Sequence, residues 1–180
     1  MAGIDEGRTF LPVRMALMTV SDTRTPETDR SGNRLAERIL EAGHILAARR
    51  IVKDEKSEIV TQLQAWIADP DIHVVLSTGG TGLTGRDVTP EAFESLYEKA
   101  IPGFGELFRM LSYETIGTST IQSRATGGLA GGTLLFALPG SPGAVGDAWD
   151  KILKFQLDSR FRPCNLVELM PRFQEHLKGA

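Results

Sequence analysis

The residues best suited to chemistry lie in loops that follow apolar runs. Thr78-Gly79-Gly80-Thr81-Gly82 is a glycine-rich turn directly after one such run. A turn of this kind lets backbone N–H groups approach a ligand closely, and phosphate is the natural guest. A tight turn with no ligand has the same composition. Asp87 follows in the same loop, and Asp54 sits in a second, Lys53-Asp54-Glu55. Either carboxylate could help to hold Mg²⁺, which commonly takes one or two carboxylates together with substrate phosphates. Either could equally serve a helix start, Asp54 before Ser57 and Asp87 near Thr89. Pro139-Gly140-Ser141-Pro142-Gly143 precedes a long helical pattern. Glycines at a helix N-terminus expose N–H groups to an anion, although prolines there also mark a plain strand-to-helix turn. Ser21-Asp22-Thr23 is a further loop of this kind.

Other chemistries find no support. Gly80, Gly82 and Gly85 satisfy the G-x-G-x-x-G spacing of dinucleotide sites, where the third glycine lies in the helix that the loop opens. Here Arg86-Asp87 intervene, helix signals begin only at Thr89-Pro90, and the loop follows the third strand pattern rather than the first. A lysine of the Walker A type is absent as well. His44, His73 and His176 lie outside these loops and suggest no Ser/His/Asp arrangement, and Cys164 is the only cysteine. One thiol makes no internal disulfide and no zinc spacing.

The elements that must position these loops read as alternating strands and helices. Residues 13–20 form a continuous apolar run, as a strand covered on both faces does. Asp29 is a plausible N-cap for a helix to about residue 42, with Leu35 and Ile39 on its buried side and Gly43 at its end. A strand is expected over 44–52, then a helix with Ile59, Leu63, Trp66 and Ile67 at helical spacing, ending at Asp69-Pro70. A third strand covers 72–77, and Thr89-Pro90 starts a helix to about residue 100. Pro102 begins another, with Phe104, Leu107, Phe108 and Leu111 on one face and Gly117 at its end; that face suits core or subunit contact. Strands are expected over 123–129 and 133–138, a helix over 144–158 and a closing strand over 163–170. This order predicts a parallel sheet between helical layers. Ligands in such folds bind beyond the carboxyl ends of the strands, where all these loops would meet.

The chain has 180 residues, 41% hydrophobic and 24% charged, with a formal net charge of −3. That composition suits one folded domain over 13–170, with an N-terminal extension (1–12) and a C-terminal tail (171–180). It does not suggest a nucleic-acid partner. No apolar run reaches the roughly 20 residues of a membrane span, and no apolar leader is visible near Met1, so a cytoplasmic protein is expected.

Several motifs, taken in order, resemble one known family. They are Thr78-Gly79-Gly80-Thr81-Gly82, Arg86-Asp87-Val88-Thr89-Pro90-Glu91, Pro102-Gly103-Phe104-Gly105-Glu106, Ser123-Arg124 and Leu138-Pro139-Gly140-Ser141. The chain is similar over nearly its whole length to the molybdopterin-binding family, which includes the bacterial proteins MogA and MoaB and the G domain of gephyrin. Phe108-Arg109-Met110-Leu111-Ser112, the run 116–124 and Arg162-Pro163-Cys164-Asn165 look most like the MoaB branch. The resemblance implies a three-layer α/β/α sandwich with a mostly parallel sheet, assembled as homotrimers or hexamers and acting in molybdenum-cofactor synthesis, possible contacts with other enzymes of that route included. It implies Asp54 and Asp87 as the functional carboxylates, holding Mg²⁺. ATP would be the co-substrate and molybdopterin the substrate, adenylylated on its phosphate with release of pyrophosphate. Thr78 to Gly82 would hold a phosphate, and Ser21, Pro139, Gly140 and Ser141 would lie at the substrate. The alternative is a protein of the same route that binds molybdopterin without transfer.

Overall fold

The computed structural model describes residues 1–177, so the end of the expected C-terminal tail, 178–180, lies outside the described residues. In chain order the strands are β1 (Gly3–Ile4), β2 (Arg14–Val20), β3 (Ile45–Val52), β4 (Val74–Thr78), β5 (Lys99–Ala100), β6 (Thr126–Ala130), β7 (Thr133–Leu138) and β8 (Phe161–Arg162). The helices are α1 (Arg30–Glu41), α2 (Lys56–Ile67), α3 (Thr89–Glu94), α4 (Pro102–Ile116), α5 (Pro142–Ala148) and α6 (Lys154–Gln156). Six strands form one sheet in the order β3-β2-β4-β7-β6-β5. β3, β2, β4 and β7 are parallel, whereas β6 runs antiparallel to both β7 and β5.

Alternation along the central strands splits the core into two. Met15, Leu17, Val74, Leu76, Leu134, Phe136 and Leu138 face α1, α4 and α5, where Leu35, Ile39, Phe104, Phe108, Val145 and Trp149 are buried. Ala16, Met18, Val20, Val75, Leu135 and Ala137 face α2 and α3, where Ile59, Leu63, Trp66 and Phe93 are buried. The result is helices on both sides of a mostly parallel sheet, as the apolar runs predict. Among the described residues no helix is long and apolar enough to cross a membrane.

Asp29 caps α1 as expected, accepting the Gly32 N–H at 2.9 Å. Its carboxylate is buried and also accepts from Thr19 Oγ1 (2.7 Å) and Arg49 Nη2 (2.8 Å), which offsets the cost of burying the charge.

Four expected elements differ. The helix starting at Thr89 stops at Glu94 rather than near residue 100, because the chain turns to join the sheet edge: Glu98 N–H donates to Leu129 O and Ile101 N–H to Gly127 O. The strand expected from residue 123 begins at Thr126, and Gly117–Gln122 is a 3₁₀ segment. The helix expected over 144–158 starts at Pro142, since Ser141 caps it, and passes through a π-helical turn at Trp149–Leu153. The tail over 163–170 is not a strand. Buried Asn165 folds it back by donating to Ser159 O (3.3 Å), Phe161 O (3.1 Å) and Glu168 Oε2 (3.0 Å), and Val167–Arg172 is a 3₁₀ segment. The pairing at that end goes to β8, which takes β1 as an antiparallel partner and so ties the N-terminal extension to the domain.

Candidate active site

From β2 the chain moves outward to the edge strand β3, then crosses to β4 on the other side of β2. The connections leaving β2 and β4 therefore diverge, and a crevice opens at the carboxyl ends of these two strands, the place where such sheets bind ligands. The glycine turn fills that position. A Cβ at Gly79 would lie 2.3 Å from the Val20 carbonyl oxygen at the end of β2, and Gly79 has φ +101°, so a side chain is excluded on both counts. Gly140 approaches from β7, where its Cβ would meet Gly79 Cα at 3.2 Å. The turn is pinned by its neighbours. Thr89 Oγ1 donates to Gly79 O and Thr78 Oγ1 to Pro139 O, both at 2.9 Å.

Both expected carboxylates press against this turn. A Cβ at Gly80 would fall 2.7 Å from Asp54 Oδ1, and one at Gly82 would fall 2.8 Å from Asp87 Oδ2. Neither aspartate caps a helix. The N-cap positions are Glu55 for α2 and Val88 for α3, each without a side-chain cap bond. Asp87 Oδ2 instead accepts from Thr84 N (2.9 Å) and Thr84 Oγ1 (2.6 Å). Those bonds, the Thr84 hydroxyl first, hold its carboxyl below the usual range, with Arg124 helping. The Asp54 carboxyl is held above the usual range by burial first, then by the charges of Asp22 and Asp87, with Arg86 opposing. Asp54 thus carries the repulsion of Asp22 and Asp87, which a nearby cation would relieve. Among the described residues no group of three or more His, Cys, Asp or Glu side chains could hold a metal. The two carboxylates at the turn, Asp54 and Asp87, are instead the kind of oxygen donors that Mg²⁺ takes one or two of, with phosphate and water to complete its shell.

Two arginines brace the loop. Arg86 donates to Asp22 Oδ2 from Nε (3.2 Å) and Nη2 (2.8 Å), and to Glu55 Oε1 from Nη1 (2.7 Å). This joins the loops after β2, β3 and β4. Arg124 donates to Gly82 O (2.8 Å) and Asp87 O (2.7 Å) and pairs with Glu91.

Beside the turn is a cavity of about 490 Å³. Gly80, Thr81, Gly82 and Asp87 form one wall, and Pro139, Gly140, Ser141, Ala144 and Asp147 form another. The far wall comes from the end of α4 and the 3₁₀ segment, with Phe108, Ser112, Thr115, Ile116, Ser119, Gln122 and Ser123. Its volume suits a small molecule, and its walls offer an apolar base with hydroxyl and amide groups to orient one. Ser141 Oγ is used in part as the α5 cap, accepting from Ala144 N at 3.1 Å. Ser21 and Asp54 are not among the lining residues. The Ser21 hydroxyl accepts from Thr23 N (3.2 Å) and Arg24 N (3.1 Å) within its own loop. The far wall escapes sequence reasoning because nothing local distinguishes Ser112 or Thr115 from ordinary helix surface; a hydroxyl cluster at helical spacing after Phe108 is the only hint.

Comparison with known proteins places the fold in a family. The family described as "Probable molybdopterin binding domain" matches residues 16–159. The chain is 51% identical to molybdenum cofactor biosynthesis protein B of Escherichia coli strain K12, over 169 residues that cover 94% of this chain and 95% of that protein. A crystal structure of a molybdenum cofactor biosynthesis protein B superposes with TM-score 0.84 at 43% identity, covering 93% of this chain and 99% of that one. The tungsten cofactor synthesizing protein MoaB from Pyrococcus furiosus superposes with TM-score 0.71 at 35% identity, covering 79% and 91%.

Proposed function

This chain belongs to the molybdopterin-binding domain family of molybdenum-cofactor biosynthesis, and from that premise we propose that it binds molybdopterin and adenylylates its phosphate with Mg²⁺-ATP. The observation that carries the reading is the pair Asp54 and Asp87 set against one glycine turn, with Asp87 on the wall of a cavity of about 490 Å³. A phosphate oxygen of the pterin attacks the α-phosphorus of ATP. A new O–P bond forms as the bond from that phosphorus to the bridging oxygen breaks, and pyrophosphate leaves with the electron pair. The attacking phosphate is already anionic near neutral pH. No strong general base is required, which suits walls built from hydroxyl, amide and carboxylate groups. Mg²⁺ at Asp54 and Asp87 would offset charge on the triphosphate and on the leaving pyrophosphate.

The remaining work belongs to the chain itself. The Gly79 to Gly82 backbone would hold a phosphate, and its preset positive φ at Gly79 and Gly80 means that little reorganisation would accompany binding. Phe108 and Ile116 offer apolar contact to a pterin ring, while Ser112, Thr115, Ser119 and Gln122 offer polar groups to its edge. Catalysis is then mainly positioning and charge neutralisation. Exposed Leu107, Met110, Tyr113 and Ile121, on α4 and the turn after it, support a homotrimer or hexamer.

Incubation of the purified protein with molybdopterin, Mg²⁺ and ATP is expected to yield adenylylated pterin and pyrophosphate. Asp87→Asn is expected to abolish the product while the circular-dichroism spectrum and thermal midpoint stay near wild type. Wild-type turnover in Asp87→Asn refutes the role given to that carboxylate. Pterin binding with no ATP-dependent product identifies a binding protein instead.

A further inference from the structure

Arg124 stands just ahead of β6, one residue beyond the cavity-lining Ser123. Its guanidinium does not enter the core. Nε reaches the Gly82 carbonyl at 2.8 Å and Nη2 the Asp87 carbonyl at 2.7 Å, so one planar fork closes the loop from 82 to 87. The third nitrogen pairs with Glu91 on α3, the helix that follows this loop. Every contact therefore falls on the segment that carries Asp87, and one of them is to the main chain of Asp87 itself. On the other flank, Gln122 and Ser123 contribute to the far wall of the cavity. The same short segment thus touches both the substrate cavity and the carboxylate loop.

We propose that Arg124 is a positioning residue that couples the cavity wall at Gln122 and Ser123 to the carboxylate of Asp87. The inference rests on the adenylyl-transfer reading above and adds to it a route by which occupancy of the cavity sets the cation ligand. The chemistry asks for arginine. The two carbonyls lie at separate points of the loop, and a rigid fork with several N–H donors can hold both at once. A lysine ammonium carries the charge without the fork. The Arg124 side chain is 28% exposed and its Glu91 partner 47%, so the contribution to global stability is modest. Loss of the fork should therefore be read in function before it is read in folding.

The test uses the full chain with Arg124→Gln and Arg124→Lys. The readouts are Mn²⁺ binding in the presence of ATP, followed by electron paramagnetic resonance, and steady-state kcat and KM with molybdopterin. In Arg124→Gln, kcat is expected to fall roughly 10- to 100-fold and the Mn²⁺ Kd to rise about tenfold, as when a group that orients a metal ligand is removed. KM for molybdopterin should change less than kcat. Arg124→Lys, which keeps the charge and the stem and so protects the fold, is expected to restore less than a tenth of the lost kcat. Wild-type kcat and Mn²⁺ affinity in either folded variant overturn the proposal. Full rescue by lysine overturns it too, because charge alone would then suffice. If the wild-type chain neither binds Mn²⁺ with ATP nor forms product, it is the nucleotide reading of the site that fails, and the coupling falls with it.

Discussion

Gly80→Ala separates the glycine turn's part in folding from its part at the site. Gly80 has φ +64°, and an added methyl would lie 2.4 Å from Thr89 Oγ1, 2.7 Å from Asp54 Oδ1 and 3.2 Å from Val20 Cγ1. Alanine in this left-handed region costs about 1–2 kcal/mol. Displacing Thr89 Oγ1 weakens its bond to Gly79 O, for about 1 kcal/mol more. The expected loss is about 2–3 kcal/mol, within the roughly 5–15 kcal/mol available to a domain, so the variant folds. For a chain of this size the thermal midpoint should fall by about 5–10 °C. The functional loss is of another kind. The Asp54 carboxylate must retreat by a few tenths of an ångström or rotate, and since a misplacement of about 1 Å can cost roughly 100-fold, a loss of about tenfold in turnover is expected. The assay is a cycle of Gly80→Ala, Asp54→Asn and the double variant, read as Mn²⁺ affinity with ATP and as adenylylated pterin. If the methyl acts through Asp54, the double variant matches Asp54→Asn within about twofold. Fully additive losses, or wild-type turnover in Gly80→Ala, refute the reasoning.

Other perturbations have equally direct outcomes. His44 is buried, accepts the Val13 N–H on Nδ1 at 3.1 Å, and has its pKa lowered by burial to about 4. The unfolded chain takes up a proton below about pH 6.5 and the folded chain only near pH 4, so stability is full above pH 6.5 and declines between these values, by about 3 kcal/mol in all. Urea unfolding at pH 7.5, 5.5 and 4.5 should show that decline in wild type and lose it in His44→Asn. Asp29→Ala removes a cap, strands Thr19 Oγ1 and leaves Arg49 with Asn33 but without its carboxylate, and should cost about 3 kcal/mol in the same measurement; a loss under about 1 kcal/mol contradicts the network. Ser112→Leu adds bulk to the far wall of the cavity. It should raise KM for molybdopterin several-fold with kcat nearly unchanged, and an unchanged KM removes that wall from the pterin site.

How much of this was legible in the sequence follows from the range of the interactions concerned. The central strands could be read because burial on both faces leaves uninterrupted apolar runs such as Met15 to Met18. The Asp29 cap and the glycine turn could be read because their signals are local. The end of α3 could not, since Lys99–Ala100 is a strand only by virtue of its partner β6, nearly thirty residues away. The tail likewise depends on Asn165 finding Ser159 and Phe161, and on β8 finding β1. At the site, Asp54 and Asp87 were legible as loop carboxylates beyond strand ends. Their meeting at one turn depends on the crossover from β3 to β4, which no local pattern contains. Arg86 and Arg124 were legible as members of motifs but without a role, because their roles are defined by main-chain and carboxylate oxygens on other elements.

The two carboxylates also differ in a way that bears on order of events. Asp87 is held ionised by the Thr84 hydroxyl and N–H, and its bonds to Thr84 both use Oδ2. Asp54 is more costly to ionise, because it is more deeply buried and faces Asp22 and Asp87. Mg²⁺ bound as proposed would meet a ready anion at Asp87 and would favour the charged form of Asp54. The loop that carries Asp87 is braced by Arg124, while Asp54 draws countercharge from Arg86, whose guanidinium is already committed to Asp22 and Glu55. The asymmetry would make the Asp87 side the fixed half of the proposed site and leave the Asp54 side to be completed by a nucleotide–metal complex. In the proposed reaction such a division would reconcile a site rich in acidic groups with anionic substrates, because the cation, rather than the protein's own basic residues, would supply most of the positive charge.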